Sequence, residues 1–133
     1  MRDAVASLME ARWRRRLAGA DRDQGAFHAP EWVEWRAGGR RMRRAYWRAL
    51  LGELAEGVEI GERVKLLGPA HLQLEPRARI TSEVIADARG GLTIGEASMI
   101  GFRSIVITRT HRFEGQGAIL DQGMDDAPVS VGD

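Results

Sequence analysis

The sequence predicts an all-β solenoid preceded by an α-helical N-terminal region. Three observations carry that expectation. Helix-forming residues punctuated by Gly and Pro fill the first part of the chain, and a six-residue apolar period runs through the rest. The charge divides at the same place. Residues 1–57 hold 12 Arg against 8 acids, whereas residues 58–133 hold 8 basic residues against 11 acids. The expected division is a helical region over 1–56 and a β-solenoid over 57–133.

At 133 residues the chain has the size of one domain, and 44% hydrophobic residues are enough for a core. It has no cysteine, which excludes disulfide and thiolate chemistry. It has no long apolar run and no uninterrupted apolar segment near its N-terminus, so neither a membrane span nor a signal peptide is expected and a cytoplasmic location is the default.

The first helix is expected over DAVASLMEARWRRRLAG, ending at Gly19. RDQGAFHAP then breaks the pattern, and a second helix begins near Pro30, a residue suited to a first helical turn. Gly38-Gly39 interrupts it. A third helix runs from Arg40 to Leu54, with Trp47, Leu50, Leu51 and Leu54 as its apolar stripe and Gly57 as its stop. Arg36, Arg40, Arg41, Arg43, Arg44 and Arg48 fall largely off that stripe. Clustered Arg can bind nucleic acid phosphates, but a solvated face, or one paired with acids of the second region, is the favoured reading. The four Trp, at 13, 32, 35 and 47, are expected to pack these helices together rather than to stack on bases.

From residue 58 the chain can be cut into hexads: IGERVK, LLGPAH, LQLEPR, ARITSE and VIADAR over 60–89, then IGEASM, IGFRSI and VITRTH over 94–111. The first position is Ile, Leu or Val in seven of the eight, with Ala78 the exception. The fifth is Val, Ala, Ser or Thr in seven, with Pro76 the exception. Each hexad supplies one short strand and one corner. Its aliphatic first residue points inward, and Gly61, Gly95 and Gly101 are expected to ease the backbone at the second position. Three hexads close a triangular coil that is stable only when stacked on its neighbours. Segment 112–126 breaks the period and is expected to be an excursion loop. Its GQG opens no helix, so a phosphate-cradling loop is set aside.

Three stretches, RGGLTIGEASMIGFRSIVI, TRTHRF and APVSVGD, together resemble the hexapeptide-repeat acyltransferases, and within them the sugar and xenobiotic O-acetyltransferases of the maltose and galactoside type. The likeness spans residues 57–133. It implies a left-handed parallel β-helix, against the usual crossover hand. It also implies acetyl transfer from acetyl-CoA to a hydroxyl of a sugar, glycan or related small molecule, in a homotrimer with sites between subunits. His111 is then the general base, taking the acceptor's hydroxyl proton in direct transfer. Asp87 and Ser82 are the candidates for acceptor binding, and no donor-binding residue is assigned. His28 and His71 are expected to have no catalytic part. The metal-dependent carbonic anhydrases of similar fold need a second His shortly after the first, but residue 116 is Gln and no His follows His111, so no metal is expected. The sequence stops at VGD, just as a hexad begins, where family members continue with coils that hold much of the acetyl-CoA site. The resemblance therefore reads the chain as truncated. Its alternative function is a non-catalytic trimeric scaffold or an inactive fragment.

Overall fold

In a computed structural model the protein is described over residues 4–34 and 38–132. Three helices come first: α1 (Ala4–Arg16), α2 (Glu31–Glu34) and α3 (Gly39–Leu51). Between α1 and α2 lies a short strand, β1 (Ala26–His28), in a stretch expected to be irregular. Strands of two or three residues follow: β2 (Glu59–Ile60), β3 (Lys65–Leu67), β4 (Leu72–Leu74), β5 (Arg79–Ile80), β6 (Ile85–Asp87), β7 (Leu92–Ile94), β8 (Met99–Ile100) and β9 (Ile105–Ile107). The last are β10 (Arg109–His111), β11 (Met124–Asp126) and β12 (Val129–Val131).

The helices stop where the backbone chemistry requires. The third ends at Leu51 rather than Leu54, because Gly52 takes φ +85° and returns its N–H to the Arg48 carbonyl at 2.9 Å. Gly57, the expected stop, instead sits in the turn before β2. Trp13 stacks on Trp32 at 5.9 Å between ring centres, Tyr46 meets Trp13 edge-on at 5.5 Å, and Trp47 meets Tyr46 at 5.0 Å. This chain of rings joins α1, α2 and α3. Burial raises the Tyr46 phenol to about 12. Trp35 and Arg36 lie outside the described residues.

The strands form three small parallel sheets, in the orders β2-β5-β8, β3-β6-β9 and β4-β7-β12. The first partner of β3 is β1, which adds antiparallel, and β10 pairs with β11 as an antiparallel hairpin. The parallel partners stand 20 residues apart: Ile60 faces Ile80 and Ile80 faces Ile100, Leu66 faces Ala86 and Ala86 faces Val106. The repeat is therefore twenty residues, not the eighteen of three hexads. The two extra residues fall at one corner in each circuit, around Gly68–His71 and Ala88–Gly91, so the hexads cut over 72–89 slip by two. That is why Ala78 stood as an exception in the first column. Its counterpart is Val58, and both are fully buried.

One hydrophobic core joins helices and sheets. Trp13, Val33, Trp47 and Leu50 share it with Ile80, Ala86, Leu92 and Ile94. Burying each of the larger aliphatic side chains stabilises the fold by about 1.5–3 kcal/mol. The expectation of an all-β solenoid with a left-handed β-helix is corrected accordingly. Over the described residues the chain is a mixed α/β fold of three α-helices with short parallel and mixed sheets, and these helices supply core residues in their own right.

The corners are left-handed in backbone, but not at the expected glycines. Arg63, Glu83 and Arg103 take φ of +52°, +61° and +58°, and Gly57, Arg77 and Ala97 take +71°, +61° and +54°. Each set is again spaced by twenty. Gly61, Gly95 and Gly101 have ordinary φ. Gly61 is needed for space, since a Cβ there would lie 2.6 Å from the Ser82 nitrogen. Charge lines the first corner: the Glu83 carboxylate accepts from Arg63 at 2.6 Å and from Arg103 at 2.7 Å. Those two guanidiniums hold Glu83 below the usual carboxylate range.

Candidate functional site

Leu92 follows Leu72 in its sheet by 20 residues, but Val129 follows Leu92 by 37, so 17 residues are inserted between β9 and β12. The insertion carries the β10–β11 hairpin, and His111 lies on its first arm. Arg109, Thr110 and His111 face Asp126, Asp125 and Met124 across the pair. Thus the excursion begins earlier than the expected residue 112, and it opens with a paired arm rather than a free loop.

The hairpin is anchored at its root by a buried hydroxyl. Thr108 is 2% exposed. Its Oγ1 donates to the Asp87 carbonyl at 2.7 Å and accepts from the Gly90 N–H at 2.8 Å. The returning chain is tied to the same residue, with the Ala127 N–H 2.9 Å from the Thr108 carbonyl. Gly90 has to be glycine, because a Cβ would stand 2.2 Å from that carbonyl oxygen. Further out, Arg109 pairs with Asp126 through Nη2 and Oδ2 at 2.8 Å, and Arg112 pairs with Asp125 at 2.6 Å. The Gln122 amide closes the tip, accepting from the Gly115 N–H at 2.9 Å and donating to the Gly117 carbonyl at 2.7 Å.

His111 is exposed on this frame, and its ring makes no hydrogen bond among the described residues. An imidazole so placed keeps both nitrogens available, one as acceptor and one as donor. Asp87 ends β6 beneath the hairpin and is 7% exposed. Its carboxylate is occupied by Arg89, at 2.9 Å from Nε and 2.6 Å from Nη2. That pairing holds its carboxyl below the usual range despite partial burial. Ser82 lies elsewhere, in a cleft beside α3 that neither His111 nor Asp87 lines. The three residues singled out by sequence are therefore not brought into one pocket.

The remaining histidines are both engaged. The Nδ1 of His28, on β1, sits 3.0 Å from the Ala29 carbonyl. The Nε2 of His71 meets the Asp23 carboxylate, which Gln24 first and His71 second hold below its ordinary range. Gln24 also accepts from Arg109 at 2.7 Å. Asp23, Gln24, His71, Arg109 and Asp126 thus form one polar network that pins the loop after α1 to the base of the hairpin. Sequence reasoning missed it because its partners stand as far as 85 residues apart.

Among the described residues no group of three or more His, Asp or Glu is placed to hold a metal ion. No described helix is long and apolar enough to cross a membrane. No protein-family model, no curated protein and no solved structure matches the chain.

Proposed function

We propose that the protein is an acetyl-CoA-dependent O-acetyltransferase, acting on a hydroxyl of a sugar, glycan or related small molecule with His111 as general base. The observation that carries the reading is the position of His111. It is an exposed imidazole with no partner among the described residues, on an inserted hairpin whose root is fixed by a buried Thr, within the TRTHRF stretch that resembles the family's Thr-x-Thr-His segment. A free ring nitrogen on a rigid arm is what proton removal from an incoming hydroxyl requires. As the acceptor oxygen attacks the thioester carbonyl, its proton passes to His111. The carbon–sulfur bond breaks, and the proton is returned to the departing thiolate, leaving ester and free CoA.

Asp87 serves this site as support: bonded to Arg89, it shapes the corner under the hairpin rather than reaching the acceptor. The exposed apolar side chains of Ile85, Ile105 and Ile107, each at least 40% accessible on adjoining strands of one sheet, favour self-association, and we assign a homotrimer to the active form. A cytoplasmic location goes with the donor.

The test follows thiol release from acetyl-CoA against a panel of hydroxyl acceptors, with wild type and His111→Asn. The substitution removes the base and leaves an exposed position exposed, so the fold is retained. A loss of about 10²–10⁴-fold in turnover is expected. Near-normal turnover in the variant, with a saturating acceptor, would refute the assignment.

A further inference from the structure

The cleft beside α3 that Ser82 lines, of about 220 Å³, opens between α3 and the β2–β5 sheet on the side of Arg40 and Arg44. Its walls are unbalanced in charge. Arg40, Arg44 and Arg79 line it against a single carboxylate, Glu59. That one group is shared: Arg40 pairs with it, and the Arg79 Nε stands 4.0 Å away. Arg44 donates Nη1 to the Val58 carbonyl at 2.6 Å, and its other nitrogens have no further partner among the described residues. Arg43, which also borders the cleft, is spent on the fold, bonded to the Ile60 carbonyl and the Glu34 carboxylate.

Two further side chains line the same space. Trp47 lines the cleft, is 1% exposed, and its indole N–H is the one buried side-chain polar atom without a partner among the described residues. That nitrogen is sealed from water, so it reports on the cleft wall rather than bonding a ligand within it. The Ser82 hydroxyl lies at the rim, also without a partner among the described residues. Leu54, Val58 and Ile80 add apolar lining, and the Thr81 hydroxyl, which also borders the cleft, is spent on the Ile100 carbonyl at 2.7 Å. Guanidinium forks in excess over carboxylate select a multiply charged oxyanion, and a phosphate offers each fork two oxygens. The volume equals the share of roughly seven waters, which is room for a phosphate and a few more heavy atoms.

We propose that this cleft binds a small phosphate monoester, its phosphate held by Arg40, Arg44 and Arg79 and its neutral body against Leu54 and Ile80. The site is independent of the reaction assigned to His111. It also gives Ser82 a place, as a donor to this ligand rather than to the hydroxyl acceptor.

The test is a titration of the full chain, followed by the indole N–H resonance of Trp47. The probes are glycerol phosphate, inorganic phosphate, glycerol and a single-stranded 12-mer oligonucleotide. Glycerol phosphate should shift the resonance saturably and more tightly than inorganic phosphate, and glycerol should not shift it. Arg79→Gln and Arg40→Gln change exposed side chains and should each weaken binding by about tenfold. Arg15→Gln, an exposed cation on α1, should leave it unchanged. Arg44→Gln is not the test, because it removes the bond to Val58. The proposal is overturned if no saturable shift occurs, if Arg79→Gln and Arg40→Gln both bind as wild type does, or if the monoester binds no better than inorganic phosphate. Oligonucleotide binding that glycerol phosphate does not displace would also overturn it, making the face a nucleic-acid surface.

Discussion

Replacing Thr108 by Val tests how the inserted hairpin is held. The two side chains have nearly the same shape, so packing is kept and only the hydroxyl is lost. At 2% exposure water cannot replace it. The change leaves the Asp87 carbonyl and the Gly90 N–H without the bonds that Oγ1 made at 2.7 and 2.8 Å. A buried polar group left unpaired costs about 1–3 kcal/mol, so a combined loss of about 2–6 kcal/mol is expected for the two. With a urea slope of about 2 kcal/mol/M, the middle of the usual range, that lowers the unfolding midpoint by about 1–3 M. Amide exchange should localise the effect, with Gly90 and Ala127 losing protection ahead of the β6 amides. A midpoint within about 0.2 M of wild type, together with unchanged exchange at Gly90, would refute the reasoning, since it would mean the hydroxyl is not the anchor.

Asp87→Asn should destabilise the protein at neutral pH, and the deficit should disappear in acid. Arg89 depresses the folded-state carboxyl of Asp87, so its contribution is present above the unfolded value of about 3.9 and is lost as pH falls through the folded value. Thermal melts of both forms between neutral pH and about pH 3 check this, and a deficit that stays constant across the range contradicts it. Ala97→Gly should stabilise the fold by up to about 1 kcal/mol, because Ala97 is exposed at φ +54° and glycine removes more strain there than it adds in chain entropy. Ala86→Gly, within a buried strand, provides the opposite sign by the same melt.

The sequence showed clearly where the chain changes character, near residue 57, because helix formers and β-branched residues separate there. It also showed that residues spaced along the second half repeat. What it obscured was the length of the repeat. The corner at Gly68–His71 holds two residues beyond the hexad count, and LLGPAH hides them because Leu66 and Leu72 stand six apart by way of that corner. The gap between the hexads, residues 90–93, belongs to the same corner one circuit later. The corner backbone was misread for a related reason. Glycine is the residue one expects at positive φ, yet Arg63, Glu83 and Arg103 occupy it, supported by their mutual ion pairs. Of the site, His111 was legible from its local motif. The Arg109, Gln24 and Asp23–His71 contacts were not, since nothing local marks partners that meet only after folding.

The position of the insertion follows from the corner that carries it. Two of the three corners close around a left-handed residue whose backbone N–H bonds to the circuit beside it: Arg77 to Glu56 and Ala97 to Pro76, and Glu83 to Glu62 and Arg103 to Ser82, at 2.8–3.1 Å. An insertion there would break that ladder. The third corner, after β3, β6 and β9, is already longer and is closed differently in each circuit. At Gly68 it is closed by the loop after α1, through the Gly25 carbonyl at 2.9 Å. At Gly90 it is closed by the Thr108 hydroxyl. At the level of β9 the hairpin itself takes this place, and its Arg109 reaches back to Gln24 in the same loop. So the corner tolerates seventeen extra residues because the ladder reaches only its first residue, from the Ala88 N–H to the Leu67 carbonyl at 2.8 Å, and other groups close the rest. The hairpin is steadied from both sides, by a buried hydroxyl beneath and by the α1 loop beside it. This predicts that loss of the Arg109–Gln24 contact moves the hairpin arm and His111 with it while leaving the parallel sheets intact.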